Sequence, residues 1–148
     1  MRLAHAVTLV AAAALACGRD VQAPSVAEAA GSYSLTSMNG QKLPLVVVQD
    51  PDFPARIEVA SGTLHLYPDS TFTDIKIFRV VVFDEVAADT AVDRGTWLVV
   101  TRNGQSRIEF QSTAGFGSYF GQLSGHTLVY AYGIRRWARP EQYAWQRN

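Results

Sequence analysis

Thr71 to Phe83 reads T-F-T-D-I-K-I-F-R-V-V-V-F, and the fold is decided by what this run becomes. Its isoleucines, valines and phenylalanines suit a pleated strand rather than a helix. The consecutive apolar residues at its end suit a strand covered on both faces there. Strand alternation places Ile75, Ile77, Arg79, Val81 and Phe83 on one face. Pro68-Asp69-Ser70 turns the chain into this run, and Asp84 to Asp93 (D-E-V-A-A-D-T-A-V-D) reads as an acidic, solvated hairpin loop leading out of it.

The same grammar continues outward in both directions. Upstream, Arg56 to Tyr67 sets Ile57 and Val59, then Leu64 and Leu66, on alternating positions. The phase change at Ser61-Gly62 predicts a bulge or tight turn. Before it come Gly31 to Met38, a hairpin signal at Asn39-Gly40, the apolar run Leu43 to Val48, and a rigid Pro-containing loop. Downstream lie Gly95 to Arg102, a second Asn-Gly turn at Asn103-Gly104, and Gln105 to Ser112. Ser118 to Leu123, His126 to Tyr132 and a closing Gln142 to Gln146 complete the series. No segment has the period and length of a helix; at most a single turn fits around Arg135 to Pro140. Eight or nine short strands joined by tight turns predict an antiparallel up-and-down meander. Closing such a sheet into a barrel of about eight strands removes its exposed edges. A β-sandwich is the alternative.

The chain has 148 residues, enough for one domain and a tail. Hydrophobic residues make up 48% and charged residues 18%, which suits a packed domain, not a disordered one. Formal net charge is zero, and no basic patch interleaved with aromatics points to nucleic acid.

The N-terminus has its own composition. Met1-Arg2 gives a positive start, and Val7 to Ala16 is an uncharged Ala/Val/Leu stretch. A membrane span needs about 20 apolar residues, so this stretch reads as the core of a signal peptide, 1–16. Ala14-Leu15-Ala16-Cys17 resembles a bacterial lipobox, and Ala14-Leu15-Ala16 is equally an A-x-A site for ordinary signal cleavage. Cys17, the chain's one cysteine, has no disulfide partner in an oxidising compartment, and acylation gives it a use. Cys17 is thus the expected lipid-attachment site and the N-terminus of the mature protein. Gly18 in place of Asp implies, by resemblance to envelope lipoproteins, release to the outer membrane; the alternative is a soluble periplasmic or secreted protein. Without Arg2 the mature chain carries a net charge of −1. Residues 17–30, small, polar and Pro-containing, read as the lipidated tether of a single domain over 31–148.

Gly31 to Pro44 (G-S-Y-S-L-T-S-M-N-G-Q-K-L-P), Ser61 to Thr73 (S-G-T-L-H-L-Y-P-D-S-T-F-T), Arg94 to Trp97 and the terminal Y-A-W-Q-R resemble small bacterial lipocalin-like envelope lipoproteins. Tyr33 stands where the lipocalin first strand carries Trp. The resemblance implies a lipocalin-like barrel and no particular chemistry.

Candidate chemistry is sparse. There is no Gly-x-Ser-x-Gly elbow, and Cys17 is committed to the tether. His65 and His126, the histidines of the mature chain, have no motif placing an acid beside them and no ligand at metal-binding spacing. The acidic loop lacks the glycine and oxygen spacing of a calcium loop. Gly115 to Gly121 misses a dinucleotide fingerprint by one position and leads into no helix, so its glycines read as a barrel corner. What remains is a pocket. An inward Arg79 would suit an anionic ligand or a buried ion pair, while a bulge or a wet face would turn it outward. Trp97, Tyr119, Tyr130 and Tyr132 suit the lining of a cavity and suit a closed core equally. Arg79, Trp97, Tyr119 and Tyr130 are the candidate ligand-binding residues. Neither catalysis, a metal nor a cofactor is expected. Two functions fit: an envelope lipoprotein whose barrel binds a small apolar or amphipathic ligand, or a non-catalytic interaction or structural module with a filled barrel.

Overall fold

The computed structural model describes residues 24–102, 105–115, 117–132 and 141–148. Cys17, the leader, most of the tether, the Asn103-Gly104 turn and the turn expected around Arg135 to Pro140 lie outside these residues. The described chain is one helical turn, α1 (Val26–Ala29), and ten strands. These are β1 (Gly31–Met38), β2 (Gln41–Lys42), β3 (Leu45–Gln49), β4 (Ala55–Leu66), β5 (Thr71–Val82), β6 (Glu85–Arg102), β7 (Gln105–Ser112), β8 (Ser118–Ser124), β9 (Thr127–Tyr132) and β10 (Glu141–Arg147).

All pairings are antiparallel, and β4 to β10 follow one another in sequence order. β1 joins β10 on one side and β4 on the other, through Gly31↔Leu66 to Ser34↔Thr63. That second pairing closes β1 and β4–β10 into an eight-stranded barrel, with β2 and β3 as additions outside the ring. The expected closed meander is what forms, not a sandwich. Its turns use the residues that tolerate positive φ: Asn39-Gly40 at 52° and 76°, and Gly125 at 57°.

The acidic stretch after Phe83 is not a loop. Phe83 and Asp84 alone make the turn, and Glu85 to Val92 run back along β5 from Val82↔Glu85 to Ile75↔Val92. A strand as long as β5 leaves a row of backbone groups unpaired unless a partner of equal length returns beside it. The small residues Ala87, Ala88, Thr90 and Ala91 let it do so. β7 takes up β6 only from Gly95 onward, so the far half of the β5–β6 hairpin projects past the barrel, with β4 and β3 beside it.

The face of β5 also differs from expectation. Phe72, Asp74 and Lys76 point inward, while Ile75 is half-buried and Ile77 exposed. Both faces of this run carry apolar residues, so alternation cannot choose between them; the pairing Phe72↔Leu66, with Leu66 buried, does. β4 keeps Val59, Leu64 and Leu66 in one core by a bulge at Ala60, where the register steps from Val59↔Phe78 to Ser61↔Ile77. The bulge predicted from the phase change is therefore present, just upstream of Ser61.

The interior is packed with Tyr33, Phe72, Trp97, Phe110, Tyr130 and Trp145, each no more than 1% exposed, with Leu64, Ile108 and Leu128 between them. Each such aliphatic or Phe side chain contributes about 2 kcal/mol through burial. Gly95 is required by contact: a Cβ there would lie 1.9 Å from the Gln111 carbonyl oxygen. α1 falls within the stretch expected to be tether. Ser25 and Glu28 form a capping box, Ala29 is fully buried, and Tyr33 Oη donates to the Ala29 carbonyl at 2.6 Å. Arg147 donates to the Glu28 and Ala30 carbonyls at 2.7 and 2.6 Å, supplying partners at a helix end that has none of its own. Burial raises the Tyr33 hydroxyl above its ordinary pKa, and the Arg147 charge partly offsets this.

Candidate functional site

The barrel interior holds charge as well as rings. Asp74 and Lys76, two apart on β5, both point inward, and Lys76 Nζ donates to Asp74 Oδ2 at 2.5 Å. Tyr130 Oη from β9 donates to the same oxygen. The ammonium lies 4.5 Å from the Tyr143 ring, 5.5 Å from Trp145 and 5.9 Å from Tyr130, so aromatic faces surround it. Gly62 faces Lys76 across β4–β5 and leaves room there: a Cβ at Gly62 would come within 3.1 Å of both Trp145 and Leu35.

Asp93 stands directly opposite Asp74 on β6 and is 5% exposed. It accepts hydrogen bonds from Ser112 Oγ at 2.6 Å and Tyr119 Oη at 3.3 Å. The aromatic rings continue across β7 to β10: Phe110 stacks on Tyr119 at 4.9 Å, Tyr119 sits 5.2 Å from Tyr130, and Tyr130 stacks on Trp145 at 5.8 Å. Two buried atoms of this cluster, Asp74 Oδ1 and Trp145 Nε1, make no hydrogen bond.

The expected ligand-binding residues divide between inside and outside. Trp97, Tyr119 and Tyr130 are buried in the interior, where Trp97 Nε1 donates to the Tyr67 carbonyl at 3.1 Å. Arg79 is on the outer face of β5 and donates to Glu58 Oε2 at 2.6 Å, its register partner on β4. Arg56 holds Glu58 from the other side at 2.7 Å. The Arg56 hydrogen bond is the main reason the Glu58 carboxyl lies below its ordinary pKa; burial opposes the shift and the Arg79 charge adds to it. The side chain of Tyr132 lies outside the described residues. His65 Nδ1 is 2.9 Å from Ser32 Oγ, and His126 is exposed in a turn. Among the described residues no group of three His, Cys, Asp or Glu is arranged to hold a metal.

Sequence reading missed Asp74, Lys76 and Asp93. The signal was present in Phe72-x-Asp74-x-Lys76-x-Phe78, one parity of β5 carrying an acid and a base between two phenylalanines. The other parity, richer in aliphatics, masked it.

A second feature lies in the barrel wall. β7 pairs with β8 only from Ile108↔Gly121 to Gln111↔Ser118, whereas β8 and β9 stay paired to Ser124↔Thr127. The start of β7 therefore splays from β8 and leaves a cleft of about 520 Å³ that reaches Gly121 and Tyr130. Gln105, Arg107, Gln122 and Gln142 bring polar groups to it, and Arg107 lies 4.6 Å above the Phe120 ring. This is a polar surface site with one aromatic wall, inside the volume range of small-molecule sites.

Compared with known proteins, the chain matches no family model, no curated protein and no solved structure.

Proposed function

We propose that this is an exported envelope lipoprotein, tethered through Cys17, whose barrel is a filled, non-catalytic scaffold that works through its outer surface. The observation carrying this reading is the occupied interior. Trp97, Trp145, Tyr33, Tyr130, Phe72 and Phe110 fill it at no more than 1% exposure, and a Lys–Asp pair occupies its polar centre. An eight-stranded barrel has room for its own side chains or for one small ligand, and these side chains take that room. The cluster's carboxylates are held by Lys76, Tyr130, Ser112 and Tyr119, an arrangement that fixes strands to one another. The barrel is lipocalin-like in form, and the protein's address is the outer membrane.

Native mass spectrometry of the mature domain tests the filled interior. The expected spectrum shows the protein mass alone, and a retained lipid or metabolite surviving gentle desolvation would overturn it. Labelling cells with a radioactive fatty acid tests the anchor. Wild type takes up label and Cys17→Ser does not; equal labelling of both refutes acylation there. A second reading is favoured by the wall cleft: a small ligand rich in hydrogen-bonding groups seated among Gln105, Arg107, Gln122 and Gln142, outside the core.

A further inference from the structure

Glu85 to Val92 of β6 are all exposed, and the only described strand beside them is β5. The edge is guarded by charge alone, at Glu85 and Asp89. It carries no proline and no lysine, and its register with β5 runs unbroken from Val82↔Glu85 to Thr71↔Thr96. The hairpin geometry fixes which backbone groups are unpaired. Glu85 closes a two-residue turn against Val82, so its N–H and C=O face β5, and those of Val86, Ala88, Thr90 and Val92 face outward. One bond records this directly: the Thr90 N–H is taken at 2.8 Å by the carboxylate of its own neighbour, Asp89, in place of a strand carbonyl.

The side chains describe the missing strand. Glu85 and Asp89 share one face of β6 with the small Ala87 and Ala91, while Val86 and Val92 lie on the other at 63% and 38% exposure. A second copy of this edge, laid antiparallel about Ala88, would bring Glu85 and Asp89 of both chains onto one face at diagonal positions, which disfavours self-pairing. The turn beside the edge is also acidic at Asp84. The same turn bears Phe83, 62% exposed, at φ 54°, the left-handed conformation that the first position of a two-residue hairpin turn takes; its N–H donates to the Pro54 carbonyl at 2.8 Å and its ring meets Phe53 edge-on at 5.2 Å.

We infer that the free edge of β6 is a strand-addition site for an extended segment of a partner protein in which Lys or Arg alternates with apolar residues. The added strand bonds the outward groups of Val86, Ala88 and Thr90; its carbonyl displaces Asp89 from the Thr90 N–H and frees that carboxylate for a basic side chain. Its apolar residues cover Val86 and Val92 on the opposite face. This inference rests on the outer-surface reading above and names its partner chemistry.

The experiment is fluorescence anisotropy of the mature protein with a labelled nine-residue peptide alternating Lys and Val, against a control of the same composition with the lysines in one block. The alternating peptide is expected to bind at least about tenfold more tightly, since only it presents one basic and one apolar face. Ala88→Pro removes an outward N–H and leaves the β5 ladder whole, so it should fold as wild type by circular dichroism and weaken binding at least about tenfold. Asp89→Lys should do the same by repulsion. Equal binding of the two peptides, or binding unchanged in both variants, overturns the inference; so does loss of binding only in Val46→Lys, which would place the peptide on β3. Such a failure leaves the filled-barrel reading standing, because native mass spectrometry reports on that separately.

Discussion

Replacing Lys76 by Met tests what holds the barrel interior together. Lys76 and Asp74 are 4% and 1% exposed, and the ammonium bonds the carboxylate at 2.5 Å while sitting among the rings of Tyr143, Trp145 and Tyr130. Methionine keeps the length and the apolar stem of lysine but leaves Asp74 a buried anion whose remaining described partner is the Tyr130 hydroxyl. Breaking a buried pair from one side costs about 3–5 kcal/mol, against a total stability of order 5–15 kcal/mol for a domain. At roughly 4 °C per kcal/mol, the midpoint of thermal unfolding falls by about 12–20 °C. Replacing both members, Asp74→Asn with Lys76→Met, removes the uncompensated charge. The double variant should therefore return to within about 1 kcal/mol of wild type. Urea unfolding followed by tryptophan fluorescence reads this, since Trp97 and Trp145 are both buried. A loss below about 1 kcal/mol for Lys76→Met, or a double variant no more stable than the single, would refute the view that the pair is a compensated buried charge.

Gly95→Ala puts a methyl group 1.9 Å from the Gln111 carbonyl oxygen, so β6 and β7 must part. The expected result is a loss of more than about 3 kcal/mol in urea unfolding or no folded protein, while Gly40→Ala, with open space around it and positive φ, costs about 1 kcal/mol. Glu58→Gln addresses pH. The Glu58 carboxyl titrates lower folded than unfolded, so its contribution is present above the ordinary glutamate pKa and is lost as pH falls through the lower folded value. The glutamine variant should show a shallower decline of stability across that acidic window. Identical pH profiles for the two proteins would show that Arg56 and Arg79 do not hold the carboxylate.

Much of this fold was legible because β structure writes itself locally. Asn39-Gly40 signalled a turn, since both residues tolerate positive φ, and the phase slip at Ser61-Gly62 called for a bulge or a tight turn, of which the bulge formed. The strand segments of β1, β4, β5 and β7 to β10 follow from alternation between such signals. The acidic run Glu85–Val92 was not legible as a strand, because Glu85, Asp89 and its three alanines, residues depleted in strands, outnumber Val86, Thr90 and Val92. It is ordered by the ladder that β5 offers it.

The sites divide in the same way. Trp97, Tyr119 and Tyr130 could be named from the sequence as residues that gather, because large aromatics must bury their surface somewhere. Whether they line a hollow or fill it depends on the rings from β7 to β10 that meet them, and no local pattern encodes that. The inward turn of Asp74 and Lys76 is the clearest case. Alternation specifies two faces for β5 and is silent on which one is inside. The register of Phe72 against Leu66 makes that choice, and with it a lysine and two aspartates enter the core while Arg79 stays outside with Glu58. Local sequence determined most of the strands, their turns and the bulge, since these depend on neighbours within a few residues. Tertiary structure alone decided the closure of β1 on β4, the polar centre of the barrel, the first half of β6 and its open edge, since each depends on which distant strand arrives, or fails to arrive, beside another.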